Sequence, residues 1–149
     1  MHIRFIQATE EDQAYLLSLR QHTMVEHLER EGLFYSAEQH LLRLQQDYLC
    51  AHIVWIDNKK VGLLKFSCQE GQLDIKQIQL EPSCQGKGLG RKILQHLLAT
   101  TVHKIAVLTV LKHNPAQKLY LDMGFEIVGD DQYEFHMQKM STDIGENIE

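Results

Sequence analysis

Gln85-Gly86-Lys87-Gly88-Leu89-Gly90 opens a run that continues Arg91-Lys92-Ile93-Leu94-Gln95-His96-Leu97-Leu98. Glycines at alternate positions stand between an apolar, strand-like run ending at Leu80 and an amphipathic, helix-like run. Glycine lets backbone N–H groups turn inward around an anion with no Cβ in the way. The helix start that follows adds unpaired N–H groups and the positive end of its dipole. The stretch reads as a pyrophosphate cradle, and the ligand it holds decides the function.

Working outward, Leu89, Ile93, Leu94, Leu97 and Leu98 form one apolar stripe at helical spacing. Lys104 to Leu111 is a nearly continuous apolar run, which predicts a central strand covered on both faces. Strand, glycine loop, helix and strand together predict a right-handed parallel crossover, with the loop at the carboxyl end of its first strand. That first strand has a fault in its pattern. Leu73 and Ile75 fall on odd positions, Ile78 and Leu80 on even ones. A one-residue slip flips the buried face, so one strand carries both phases only with an inserted residue, a β-bulge near Lys76-Gln77.

The N-terminal half predicts a strand over residues 2–7, then a helix opened by Thr9-Glu10-Glu11-Asp12 and stopped at Gly32. Ser36-Ala37-Glu38-Gln39 has the capping-box form and starts a second helix carrying Leu41, Leu42 and Leu44. Residues 51–56 and 61–68 read as strands joined by a turn at Asp57-Asn58-Lys59-Lys60, and Glu70-Gly71 makes the next turn. Asn114-Pro115-Ala116 is a strong helix start, and Gly124 ends that helix. Phe125 to Val128 and Tyr133 to Met137 close the domain as a hairpin. The expectation is a single α+β domain over residues 1–140, with a polar, frayed tail at 141–149.

The 149 residues suit one domain, and 44% hydrophobic with 23% charged residues excludes a disordered chain. The net charge of −5 implies no general affinity for nucleic acid and weakly favours cationic substrates. Cys50, Cys68 and Cys84 form no CxxC pair, against a disulfide framework or structural zinc. No HExxH occurs, and His22 and His27 are badly spaced for ligands on one helix face, so no metal is expected. No apolar run suffices to span a bilayer and no signal peptide is visible. The expectation is a soluble, cytoplasmic protein.

Three ligands suit the glycine loop in principle. A dinucleotide site wants GxGxxG near the N-terminus and an acid closing the next strand, but Lys112 stands there. A Walker A loop wants GxxxxGK[ST], which is absent. Gln85-x-x-Gly88-x-Gly90 resembles the acyl-CoA-binding loop of the Gcn5-related N-acetyltransferase (GNAT) superfamily. Asn114-Pro115-Ala116-Gln117-Lys118-Leu119-Tyr120-Leu121-Asp122-Met123-Gly124-Phe125 resembles that family's Asn-x-x-Ala-x-x-x-Tyr-x-x-x-Gly-Phe element at every named site. The order of elements agrees from Ile3 to Met140, and the phase slip falls where the family carries a bulge in its fourth strand.

The resemblance implies a mixed central sheet of about seven strands flanked by about four helices. It implies acetyl-CoA as co-substrate and an amine as acceptor. By the same resemblance, Gln85, Gly86, Lys87, Gly88, Leu89 and Gly90 hold the CoA pyrophosphate through their amides. Ile78, Gln79 and Leu80 pair with the pantetheine arm as a strand would. Lys87, Arg91 and Lys92 meet the nucleotide phosphates or form a solvated helix face. Asn114 caps its helix and contacts pantetheine. Tyr120 stands at the position of the general acid that protonates the departing thiolate. Candidates for the base are Asp74, Glu81, Glu26 and His27, with none preferred. The acceptor is expected along His22 to Tyr35, where glutamates beside aromatics suit a cationic amine or simply a solvated helix end. Dimerisation is common in the family, and no interface is legible in the sequence. A non-catalytic acyl-CoA sensor on the same fold is the competing reading.

Overall fold

The structure, a computed structural model, describes residues 1–141, with the side chains of Glu26 and His27 left out. The polar tail expected from residue 141 therefore lies almost wholly outside the described residues.

Strand β1 (Ile3–Gln7) runs antiparallel to β2 (Ala51–Ile56). Between them lie helices α1 (Gln13–Arg30) and α2 (Ala37–Gln45). The expected start at Thr9 is a short 3-10 turn before α1, where the Thr9 N–H donates to Asp12 Oδ2 at 2.8 Å. Gly32 ends α1 as expected. Its φ of 78° lets its N–H reach the Glu29 carbonyl at 3.0 Å while Leu33 N–H reaches Leu28 at 2.8 Å. Ser36 and Gln39 form the reciprocal capping box, with Gln39 N–H on Ser36 Oγ at 3.1 Å and Ser36 N–H on Gln39 Oε1 at 2.8 Å.

β2 turns directly into β3 (Lys59–Gln69), tighter than the predicted four-residue turn. Asp57 and Asn58 both adopt positive φ, 49° and 73°, and complete a two-residue hairpin loop. β4 (Gln72–Leu80) follows, then α3 (Leu89–Thr100), β5 (Ile105–Leu111), α4 (Ala116–Asp122), β6 (Glu126–Asp130) and β7 (Glu134–Met140). The mixed sheet runs β1-β2-β3-β4-β5-β7-β6, with β4 and β5 its parallel pair.

The phase slip in β4 is a bulge. Lys65 pairs with Gln77 and Phe66 with Ile75, so Lys76 has no partner on β3. The extra residue returns Ile78 and Leu80 to the side of Leu73 and Ile75, where all four join one core. That core packs under α3 and α4 and includes Ile93, Leu94, Leu97, Tyr120 and Phe125. A second core on the opposite face joins Leu16, Leu19 and Leu44 to Ala51, Ile53 and Leu63.

β5 departs from its predicted burial on both faces. Ala106, Leu108 and Val110 are buried, but Ile105 and Val107 are half-buried and Thr109 is exposed. The core residues supplied by α1 and α2 meet β2 and β3, and none of them reaches the corresponding face of β5. Among the described residues no helix is long and apolar enough to cross a membrane, and no cluster of His, Cys, Asp or Glu could hold a metal.

Gly62 marks the tightest approach in the sheet, since a Cβ there would collide with the Gln79 carbonyl oxygen. Neither strand can retreat without breaking the β3–β4 ladder. Gly62→Ala is therefore expected to destabilise the domain by about 1–3 kcal/mol, read as a lowered denaturant midpoint.

Candidate active site

β4 and β5 are hydrogen-bonded only from Gln72 with Ile105 to Ile75 with Leu108. Beyond the bulge both strands continue, β4 to Leu80 and β5 to Leu111, without pairing. The centre of the sheet is thereby split, and a cavity of about 520 Å³ opens at the split. That is ample for a small substrate and part of a cofactor. Its walls come from Ile75 to Ile78 of β4 and Leu108 to Leu111 of β5, with Asn114 and Tyr120 on one side. Arg20, Met24 and Leu28 of α1, together with Tyr35, Arg43 and Lys65, close the other.

Tyr120 is 6% exposed, and its ring meets Phe125 edge-on at 6.1 Å between centroids. Its hydroxyl has no hydrogen-bond partner among the described residues, and the residue forms part of the cavity wall. Burial pushes the phenol up to about 12, so it keeps its proton at neutral pH. Such a group can give a proton and is a poor base.

Asn114 caps α4, its Oδ1 accepting from the Ala116 N–H at 2.9 Å, and the residue also lines the cavity. Ile78 lines it too. Gln79, Leu80 and the loop from Gln85 to Arg91 lie outside the cavity walls, further along toward the end of β4 and the start of α3. The Gln79 side chain is buried with both polar atoms unpartnered, so only its backbone remains for the strand-like role expected of it.

In the loop, Gly86 and Gly88 hold φ of 74° and 75°, and Gly88 is the residue before the first turn of α3. A left-handed backbone here requires glycine on conformational grounds, since a Cβ would meet open space at both. Gln85 Nε2 donates to the Leu80 carbonyl at 3.1 Å, which ties the loop to the strand end. Lys92 N–H is bonded to Gly88 O at 3.3 Å, whereas the amides from Gly86 to Arg91 have no protein acceptor among the described residues. That leaves a row of donors for an anion. Arg91 forms an ion pair with Asp122 at 3.6 Å, linking α3 to α4, while Lys87 is exposed.

Of the expected bases, Asp74 and Glu81 do not line the cavity. Asp74 is held by Lys76 at 3.4 Å and faces a separate cavity of about 390 Å³. Glu81 lies beside the buried Tyr15 hydroxyl, whose ionisation it and burial both oppose. The side chains of Glu26 and His27 are outside the described residues. Among the described residues, the carboxylates that line the cavity are Asp47, paired with Lys76 at 3.7 Å, and Glu134, whose Oε2 accepts from Thr109 Oγ1 at 3.2 Å. Neither belongs to a sequence motif that would have singled it out.

The segment His22 to Tyr35 reads either as an amine wall or as a solvated helix end, and among its described glutamates neither Glu29 nor Glu31 lines the cavity. Glu31 turns away to bind the loop before α4, accepting from His113 N–H at 3.1 Å. The side chains that reach the cavity from this side include Arg20, Arg43 and Lys65. Helix spacing could have grouped Arg20 with Met24, but only the packing of α2 on α1 brings Arg43 to the same wall. Lys65 is 3% exposed and donates to the carbonyls of Leu44 and Gln46 at 2.8 Å, capping the C-terminal end of α2. Burial and the nearby Arg20 lower its pKa from the ordinary 10.5 to about 8. Folded protein thus releases this proton before unfolded protein does. Between pH 8 and 10.5 the unfolded chain binds more protons, so stability should climb with pH across that window. Urea midpoints of the wild type minus those of Lys65→Met should show this rise.

A family model for the acetyltransferase (GNAT) domain matches residues 20–142, well over half of the chain. The 5-NmdU N-acetyltransferase of Pseudomonas phage PaMx11 is 35% identical over 54 residues, covering 36% of this chain and 39% of that protein. The chain thus matches about two-fifths of the length of that curated relative. An acetyltransferase from Thermus thermophilus superposes with a TM-score of 0.77 at 18% identity, covering 94% of this chain and 97% of the other. The PaiA N-acetyltransferase from Thermoplasma acidophilum, in complex with coenzyme A, gives 0.68 at 18% identity, covering 94% and 99%. N-acetylglutamate synthase from Neisseria gonorrhoeae, complexed with coenzyme A and N-acetyl-glutamate, gives 0.65 at 14% identity, covering 95% of this chain and 35% of that one. At these identities the structural likenesses speak for the fold.

Proposed function

The chain belongs to the GNAT acetyltransferase family, and on that premise we propose that it moves an acetyl group from acetyl-CoA to a primary amine by direct attack. The observation that carries the reading is the split between β4 and β5, with a protonated, buried Tyr120 on its wall. Coenzyme A in two of the structural neighbours supports the identity of the donor.

In this reading the free amides from Gly86 to Arg91 bind the pyrophosphate, with Lys87 and the positive end of the α3 dipole adding charge. Gln85 holds that loop to the end of β4. The backbone from Ile78 to Leu80 offers the pantetheine a strand edge that β5 does not occupy, and Asn114 lies across the gap. The amine lone pair attacks the thioester carbonyl. A backbone N–H at the bulge steadies the oxyanion of the tetrahedral intermediate. Collapse expels the thiolate, and Tyr120 supplies its proton.

The ammonium form must lose a proton before attack. Among the described wall carboxylates Asp47 is engaged by Lys76, so Glu134 is assigned to accept that proton, directly or through water. Glu134→Gln should lower kcat/KM at neutral pH, and the deficit should shrink as the pH approaches the amine's own pKa. A deficit constant with pH would remove Glu134 from this role.

Tyr120→Phe should lower kcat by about 10²-fold while acetyl-CoA affinity stays within about two-fold. Thiol release and calorimetry measure the two. Tight acetyl-CoA binding with no acceptor-dependent thiol release would instead identify a sensor.

A further inference from the structure

Resting on the reading of the cleft as an amine acetylation site, we propose that the acceptor carries an anionic group, a carboxylate or a phosphate, held by Arg20 and Arg43 where α1 and α2 wall the cavity. Arg20 is 4% exposed, and its Nε donates to His40 Nδ1 at 3.1 Å. Among the described residues no carboxylate lies within ion-pair distance of it, and its remaining guanidinium donors have no protein acceptor. A guanidinium withdrawn from bulk water persists only where its other donors reach water or an anion. The surface it offers to either is the cavity wall.

The surroundings are cationic as well. Arg43 lies on the same wall, near enough that its charge disfavours that of Arg20. Its Nη2 donates to the Tyr35 hydroxyl at 3.1 Å, and its guanidinium lies 5.3 Å from the centre of that ring. Tyr35 in turn meets the His40 ring edge-on at 5.6 Å, so Arg20, His40, Tyr35 and Arg43 form one continuous set of contacts. Lys65 adds a buried cation beside Arg20. Of the described acids on the cavity wall, Asp47 pairs with Lys76 and partly offsets Lys65, and none forms an ion pair with Arg20 or Arg43.

A chain of net charge −5 has thus collected Arg20, Arg43 and Lys65 on one cavity, with no described carboxylate in ion-pair contact with any of them. A forked guanidinium matches the paired oxygens of a carboxylate or phosphate, whereas a polycationic acceptor would meet repulsion there. The amine must still reach the thioester, so both groups belong to one molecule: an amino carboxylate or an aminoalkyl phosphate.

The test measures acceptor-dependent CoA release with ω-amino carboxylates and ω-aminoalkyl phosphates of graded length, against their uncharged amides, plain alkylamines and spermidine. The anionic members should lead the uncharged ones in kcat/KM by at least about ten-fold, and the better of the two series identifies the anion. Arg20→Met and Arg43→Gln should each raise KM for the anionic members by about ten-fold and erase most of that lead. Arg43 is exposed on α2, so its variant carries the test if Arg20→Met does not fold. Spermidine or the amides serving as well as the anions, or a preference that survives both substitutions, overturns the proposal. If no amine is acetylated, the acetyltransferase reading fails separately. Calorimetry of glutamate and phosphoethanolamine on the CoA-loaded protein then decides the anion site: binding lost in the variants supports it, and no binding or unchanged binding refutes it.

Discussion

A single unpaired residue in β4 governs the molecule. Lys76 has no partner on β3, and this insertion lets one strand present Leu73, Ile75, Ile78 and Leu80 to the same core. Without it the strand beyond the bulge would turn Ile78 and Leu80 toward the other face. The same place is where pairing with β5 stops. A parallel pair in the centre of a sheet normally continues until its strands end, because each unpaired buried amide costs free energy. Here the strands separate early, and their free edges become the walls of a cleft. Core packing and the opening of the cleft therefore share one cause.

The helices that frame the cleft are fixed by local chemistry at their ends. Gly32 closes α1 through a left-handed turn, Ser36 and Gln39 open α2, and Asn114 opens α4. The far end of α2 is different. Its carbonyls are capped from a distance by Lys65, a buried cation on the strand beneath. Burying that charge is unfavourable, and the carbonyls compensate for it in part. The same lysine lies beside Arg20 and strengthens the positive field on the cavity wall. Holding α2 in place and shaping the charge of the cleft are thus coupled.

The two ends of the cleft deal with charge in opposite manners. At the glycine loop the positive potential comes from backbone amides and the start of α3, geometry that any chain with those glycines would reproduce. At the α1–α2 end it comes from side chains on three separate elements, collected by packing. The first arises from local backbone geometry, the second from the packing of distant residues.

Local pattern in the sequence determined much of this protein. The 3.6- and 2-residue periodicities, the caps and the glycine turns depend on neighbours within a few positions, so they are readable in one dimension. The bulge was legible for the same reason, as a change of phase between Ile75 and Ile78. Asn114 and Tyr120 were legible through their motif. Tertiary structure decided the rest. Whether β5 is covered on both faces depends on how far α1 and α2 extend across the sheet, which no local pattern encodes. Asp74 and Glu81 sit near the cleft in sequence yet are engaged elsewhere, Asp74 with Lys76 and Glu81 beside the Tyr15 hydroxyl, contacts that only the packed chain supplies. Arg20, Arg43 and Lys65 are far apart along the chain and meet only when α1, α2 and β3 pack together. Their shared field is a sum over space, and spatial proximity of distant residues is what the fold alone supplies.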